Sequence, residues 1–275
     1  MKGIIFAGCS FTWGEGLELY SNYNSLNIHS IKRYSYNFPD IGYFMPKSHL
    51  KFIESNRFSR LVSQHYGTFD LVAEKNGGNH QTMLTHIKKS LLDYGDDVGL
   101  IIVQLTEYLR GIKMHKNCNN NCCERDLVRM VEDYYAVESG DGDNDDDRKY
   151  YHNIVRDNFK GEPIDELKKL GTEYFKKFID ELIKINQETE IPIKFLGSWV
   201  EPNIPIDSNF YEENLIEIEY KNKKYKTISE LLSEYNDELI IANELEWSNN
   251  WHPNLKFQKV ISDSIVKYCE KNNVL

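Results

Sequence analysis

Lys2-Gly3-Ile4-Ile5-Phe6-Ala7-Gly8-Cys9-Ser10-Phe11-Thr12-Trp13-Gly14-Glu15-Gly16 opens on a short apolar run that stops at a glycine and gives way to a polar cluster. A run without polar alternation is the pattern of a strand buried on both faces, as parallel strands are. The polar cluster is then a loop at that strand's carboxyl end. Three later runs repeat the profile: Phe69 to Ala73 before Asn76-Gly77-Gly78-Asn79, Val98 to Gln104 before Leu105-Thr106-Glu107, and Ile191 to Leu196 before Gly197-Ser198. Helical periods lie between and after them. Phe58, Leu61, Val62 and Tyr66 share one face, and Leu84, Ile87 and Leu91 share another. The longest period holds Ile164, Leu167, Tyr174, Phe175, Phe178, Ile179, Leu182 and Ile183, with Pro163 suited to its first turn. Phe257, Val260, Ile261, Ile265, Tyr268 and Cys269 form the apolar face of a closing helix. Strands alternating with helices predict an α/β fold, a parallel sheet covered by helices on both faces.

A length of 275 residues admits one large domain or two small ones. Three stretches break the alternation: Asn22 to Leu50 is rich in Tyr, Asn and Ser, His115 to Tyr151 is polar and acidic, and Ile216 to Ile228 reads as a hairpin turning at Lys221-Asn222-Lys223. None carries a core large enough to fold alone, so they are expected as insertions near 20–55, 113–160 and 205–235 within one domain spanning 1–275. The composition, 40% hydrophobic and 13% aromatic, excludes overall disorder. Acidic residues outnumber basic ones 43 to 33, which argues against a nucleic-acid backbone as the main partner. Five Asp between Asp141 and Asp147 carry part of that excess in the central insertion.

No run of 18 apolar residues exists, so a membrane-spanning helix is not expected. Phe6-Ala7-Gly8-Cys9 imitates a lipoprotein cleavage box, but only eight residues precede Cys9, too few for a charged segment and an apolar core. The five cysteines are an odd number, and Cys9 and Cys269 sit in apolar patterns where a reduced thiol acts as a small hydrophobe. A cytoplasmic protein without membrane contact is the expectation.

The loop after the first run stands where an open α/β sheet places its chemistry. Phosphate-binding readings fail: no Walker Lys-Ser/Thr follows, and Gly14-x-Gly16 lacks the third glycine of the dinucleotide fingerprint. Ser10 on a tight strand-to-loop turn is left either as an exposed hydroxyl with backbone N–H groups beside it or as the cap of a short helix from Phe11 to Trp13. His252, in Trp251-His252-Pro253-Asn254, lies on a loop at the entrance of the closing helix, and a lone histidine there is either structural or catalytic. In an α/β sheet, a serine after the first strand and a histidine before the last helix can meet above the same edge.

Taken together these residues resemble the SGNH (GDSL-like) hydrolase superfamily. Its first block resembles Gly8-Cys9-Ser10-Phe11-Thr12-Trp13-Gly14-Glu15-Gly16, its second Asn76-Gly77-Gly78-Asn79, and its last, Asp-x-x-His-Pro, Asn249-Asn250-Trp251-His252-Pro253. The resemblance implies a three-layer α/β/α, flavodoxin-like fold and a serine esterase or acyl hydrolase. O-acylated (acetylated) carbohydrate or a similar small ester is the implied substrate, with no cofactor or metal. On this reading Ser10 attacks, His252 accepts its proton, and the N–H groups of Ser10 and Gly78 with the Asn79 amide hold the oxyanion. Trp13, Thr106 and Trp251 are then expected at the substrate. Three positions depart from the family pattern. Cys9 replaces the Asp before the nucleophile. Asn249 stands where the family orients histidine with Asp, so an amide, or Glu244 or Glu246, must take that part. The third block, usually Gly-x-Asn-Asp, is Gln104-Leu105-Thr106-Glu107, leaving Asn79 or Gln104 to supply the amide donor. A degenerate domain of the same fold that binds a glycan or a protein partner without turnover is the alternative.

Other signals have plainer readings. His115-x-x-Cys118-x-x-x-Cys122-Cys123 crowds its potential zinc ligands without paired CxxC spacing and reads as a reduced polar loop. Asp141-Gly142-Asp143-Asn144-Asp145-Asp146-Asp147 begins like a calcium loop but has Asp146 where the turn glycine belongs and His152 where the bidentate Glu belongs. Tyr20, Tyr23, Tyr34, Tyr36, Phe38, Tyr43 and Phe44 could stack on sugars or bases, yet an insertion packed over the sheet edge explains them as well.

Overall fold

The computed structural model describes residues 2–20, 47–73, 78–109, 113–116, 123–126, 131, 134–135, 138, 152–153, 155–157, 159, 161–199, 207–245 and 250–275. The chain divides into two compact units, Met1–Glu107 with Ile179–Leu275, and Tyr108–Phe178. The second unit contains the 113–160 stretch read as an insertion and extends beyond it on both sides.

The four apolar runs form the four parallel strands of the first unit. They are β1 (Gly3–Ala7), β2 (Asp70–Val72), β3 (Val98–Gln104) and, after a hairpin in the second unit of β4 (Lys113–Lys116) and β5 (Cys123–Asp126), β6 (Ile193–Leu196). Their order is β2-β1-β3-β6. Ile5 lies opposite Leu71 on one side and Ile101 on the other, and Val103 lies opposite Phe195. Because every pairing is parallel, the loops after all four strands leave by one edge. The fold is therefore mixed α/β on a parallel sheet, as the alternation of runs predicts. Beyond β6 the ladder continues, among the described residues, as isolated parallel bridges, Phe195 with Leu215 and Gly197 with Thr227.

The helices of the first unit that matter for the site are α1 (Ser10–Trp13), α2 (Lys47–Asn56), α3 (Phe58–His65) and α4 (His80–Tyr94). The long α5 (Pro163–Thr189) begins at Pro163, where its missing N–H costs nothing. After it come α6 (Asn209–Glu213), α7 (Ile228–Leu239), α8 (Ile241–Glu244) and the closing α9 (Leu255–Asn272). Ile4, Phe6, Leu100 and Ile102, alternate residues of β1 and β3, share one core with Phe58 and Val62 of α3 and Phe257, Ile261 and Ile265 of α9. Each such side chain contributes roughly 1.5–3 kcal/mol on burial. Ile5, Ala7, Ile101 and Val103 alternate with them and are equally buried.

The buried face of α4 is His80, Met83, Ile87 and Ser90 rather than Leu84, Ile87 and Leu91. Leu84 and Leu91 are half-buried, so the helix is turned toward the Met83 side of the face read from leucines alone. The hairpin read at 216–228 is present as β7 (Ile218–Tyr220) and β8 (Lys223–Tyr225). Lys221 and Asn222 both take positive φ, 47° and 63°, the backbone twist that suits a two-residue hairpin turn.

In the second unit Leu109, Val131, Val155 and Leu167 form a small core of their own. The His152 ring stacks on Tyr134 at 4.8 Å and its Nε2 meets Glu138 Oε1 at 2.6 Å. Cys118, Cys122 and residues 141–147 lie outside the described residues, as do Tyr23, Tyr34, Tyr36, Phe38, Tyr43 and Phe44. Cys9 and Cys269 are free thiols and buried, as their apolar settings predict. Among the described residues no helix is long and apolar enough to cross a membrane.

Candidate functional site

The turn after β1 is fixed from below by Gln104, the last residue of β3. Its Oε1 accepts from the Cys9 backbone N–H at 3.4 Å, the Cys9 thiol at 3.1 Å and the Thr12 hydroxyl at 3.1 Å, while its Nε2 donates to the Leu105 carbonyl. Gln104 therefore spends its amide on the turn. Gly8 has to be glycine for this network to close, since a Cβ there would sit 1.9 Å from Thr12 Oγ1 and 3.0 Å from Gln104 Oε1. The chain then enters α1, with Ser10 as its first residue and only 4% exposed. Gly14 ends the helix in the left-handed region at φ 89°, and its N–H, like that of Glu15, returns to the Ser10 carbonyl.

The loop after β2 touches this turn. A Cβ on Gly78 would lie 2.2 Å from the Gly8 carbonyl oxygen, so the two backbones approach as only glycine permits. Asn79, the next residue, caps α4: its Oδ1 accepts from the Thr82 N–H at 2.9 Å and its own N–H donates to Thr82 Oγ1 at 2.8 Å. With its oxygen committed to the cap, what Asn79 has left to lend is the side-chain NH₂.

His252 reaches the same region from the far end of the chain. Its segment is sewn to the α7–α8 junction by Ile241 N–H to His252 O at 3.0 Å, Ala242 N–H to Asn250 O at 2.9 Å and Asn254 N–H to Leu239 O at 2.9 Å. Asn254 caps α9 through the Phe257 N–H at 3.0 Å. The imidazole lies edge-on to the Phe11 ring at 5.8 Å, and Phe11 also packs against Trp199 at 4.9 Å and Phe257 at 6.0 Å. Asn250 Oδ1 accepts from the His252 backbone N–H and stands 2.9 Å from His252 Nδ1. The backbone donor fixes that atom as the oxygen, and an amide oxygen can only accept, so Nδ1 carries a proton. On the other side of the ring Nε2 forms a contact of 3.2 Å with Glu15 Oε2; the side chains are 25% and 12% exposed.

The partner of Nδ1 is thus Asn250, one residue beyond the Asn249 position expected to orient the histidine. Asn249 and Glu246 lie outside the described residues, and the Glu244 carboxylate accepts from the Tyr20 hydroxyl at 2.6 Å. Burial, reinforced by that carboxylate, pushes the Tyr20 hydroxyl far above its ordinary range. Of the residues expected at a substrate, Trp251 is 62% exposed beside His252, and Thr106 is buried with its hydroxyl accepting from the Trp199 indole N–H at 3.4 Å. Trp13 does not share that setting. It is packed with Leu17 and Ile53, because a helix of one turn carries the residue three places after Ser10 into the core beneath α2.

Three participants were not picked out from sequence: Glu15, Asn250 and Trp199. Asn250 had a local signal, since Asn often accepts from the backbone two residues on. Glu15 and Trp199 had none, for their partners lie in other segments of the chain. Among the described residues no cluster of His, Cys, Asp and Glu could hold a metal ion. No protein-family model, curated protein or solved structure gives a significant match to this chain.

Proposed function

We propose that the chain is a serine acyl hydrolase of SGNH type, built on a three-layer, flavodoxin-like α/β/α fold, acting on an O-acylated carbohydrate or a similar small ester. The observation that carries the reading is the position of His252. Its ring is held in one tautomer by Asn250 and packs on Phe11, the residue after Ser10, beside the turn that leaves β1. The strand order and the close approach of Gly8 and Gly78 support the same arrangement. In the proposed reaction Ser10 Oγ bonds to the ester carbonyl carbon while its proton passes to His252 Nε2. The carbonyl oxygen takes the electron pair and faces the N–H groups of Ser10 and Gly78 and the Asn79 amide. His252 returns the proton to the leaving alkoxide, and a water then releases the acyl group by the same route.

Fluorophosphonate labelling and p-nitrophenyl acetate hydrolysis test the reading. Wild type is expected to label at Ser10; Ser10→Ala is expected to lose the label, and Ser10→Ala and His252→Ala to lose hydrolysis by at least ~10². Absence of any Ser10-dependent labelling or hydrolysis sinks it. One observation favours a second reading, a binding domain without turnover: the nitrogen that should take the Ser10 proton is already engaged by Glu15. On that reading Ser10→Ala retains glycan as well as wild type does, and neither hydrolyses ester.

A further inference from the structure

We propose that Trp199 is a positioning residue for His252: pinned to Thr106 through its indole N–H, it backs the Phe11 ring, and Phe11 sets how the imidazole tilts toward the Ser10 turn. The inference rests on the acyl-hydrolase reading, because there the tilt of the ring governs a proton transfer. Two torsions set the pose of an imidazole on its backbone. The contact of Asn250 Oδ1 with Nδ1 at 2.9 Å holds one combination of them. A ring tethered at one atom can still pivot about that atom until packing stops it. Phe11 supplies the stop, with its centroid 5.8 Å from that of the imidazole and the two planes 66° apart.

Phe11 can serve as that wall only if its own ring is held. It is buried, and its backbone lies in the single turn of α1, tied by Trp13 N–H to the Cys9 carbonyl at 3.1 Å and Gly14 N–H to the Ser10 carbonyl at 2.9 Å. Phe257 meets the ring edge-on at 6.0 Å and 81°, and Trp199 lies over it at 4.9 Å and 30°. Phe257 is fixed in the core by α9, whereas Trp199 stands on the loop after β6 and is half-buried. An indole in such a place is steadied when its N–H finds an acceptor. The buried Thr106 Oγ1, 3.4 Å away on the loop after β3, is that acceptor. The loops after β1, β3 and β6 are thereby joined in one line, Thr106 to Trp199 to Phe11, that ends on the His252 ring. The Thr106 hydroxyl, expected at a substrate, serves the indole instead.

The test is steady-state hydrolysis of p-nitrophenyl acetate by the full chain as wild type, Ser10→Ala, Trp199→Phe, Thr106→Val, Thr106→Ser and the Trp199→Phe, Thr106→Val pair. Fluorophosphonate titration counts active sites, and thermal melts show that each protein is folded. Trp199→Phe keeps a ring on Phe11 and removes the N–H; Thr106→Val keeps the shape and removes the acceptor. Each is expected to lower kcat about tenfold with KM unchanged, a loss felt in the transition state alone. The pair should lose no more than either change by itself, since both break one contact. Thr106→Ser, which keeps the hydroxyl, should match wild type, and Trp199→Phe carries the test should Thr106→Val not fold. A merely structural contact would lower the melting temperature and leave kcat per titrated site where it was. A rise in KM at constant kcat would put Trp199 or Thr106 against the substrate instead. Either result, with wild type active through Ser10, overturns the positioning and leaves the acyl-hydrolase reading standing. If wild type shows no Ser10-dependent labelling or hydrolysis, both fall.

Discussion

Asn250 and Gln104 show how single amides can do different work at one site. Asn250 faces the His252 ring and turns the backbone with the same oxygen, so on the proposed acyl-hydrolase reading Asn250→Ala is expected to lower kcat for p-nitrophenyl acetate by ~10² with little change in KM. Asn250→Asp, which keeps the acceptor and adds charge, should restore it. Steady-state kinetics on the three proteins decides. Gln104 works beneath the serine, and Gln104→Leu would strand the Cys9 N–H and the Thr12 hydroxyl. A buried donor left without its partner costs about 1–3 kcal/mol, so the urea midpoint should fall with an unchanged slope. These roles were only partly legible beforehand. That His252 comes to Phe11, the residue after Ser10, agrees with their places after a strand and before a helix, but the choice between Asn249 and Asn250 turns on a one-residue register in a loop, where no periodicity exists to read. The Glu15 pairing was invisible for a different reason: a contact between opposite ends of the chain leaves no mark on either segment.

Among the elements, α4 and α7 carry titrating groups whose protonation is linked to folding. His80, in the first turn of α4, is buried, and burial pushes its imidazole down to about 3. The unfolded chain takes up that proton near pH 6.5 while the folded chain does not, so stability should fall as pH drops from 6.5 toward 3 and change no further from this source below that. Urea midpoints between pH 7 and 4.5, above the carboxylate range, should slope in wild type and flatten in His80→Gln. Glu238 acts in a lower window. Hydrogen bonds from Lys221, then Lys256 and Tyr220, hold its carboxyl down at about 2, which ties the hairpin to α7 and α9. Its contribution is full above the unfolded value near 4.3 and is lost as pH falls toward 2, a loss that Glu238→Gln should not show in the same urea series. The elements themselves were largely legible. Short, mainly apolar runs followed by polar loops marked all four parallel strands, and Lys221-Asn222-Lys223 marked the hairpin. The face of α4 was misread because Leu84 and Leu91 outweigh His80 and Ser90 in hydrophobicity, whereas packing placed the smaller polar pair inside.

Across the whole of the first unit, the last helix is as much a part of the core as the first strand. Phe257 of α9 is fully buried and meets Phe11 edge-on at 6.0 Å, so Phe257→Ala is expected to cost ~3–5 kcal/mol and to slow fluorophosphonate labelling at Ser10 together. Denaturant melts and labelling rates on one preparation test both effects. The division of the chain at Tyr108 and Phe178 was not legible, because α5 reads as one uninterrupted period through the boundary. The margins of the sheet carry a last consequence. Parallel strands leave unpaired amides along their outer sides, a standing invitation for another chain to add a strand. Here one outer strand, β2, is only three residues long, and the other, β6, is overlaid by the bridges from Leu215 and Thr227. Gly197 allows Thr227 to lie so close that a Cβ would fall 2.8 Å from its Cα. These short stitches cover part of the margin where a further strand would pair, and the missing Cβ of Gly197 is what lets the second of them form.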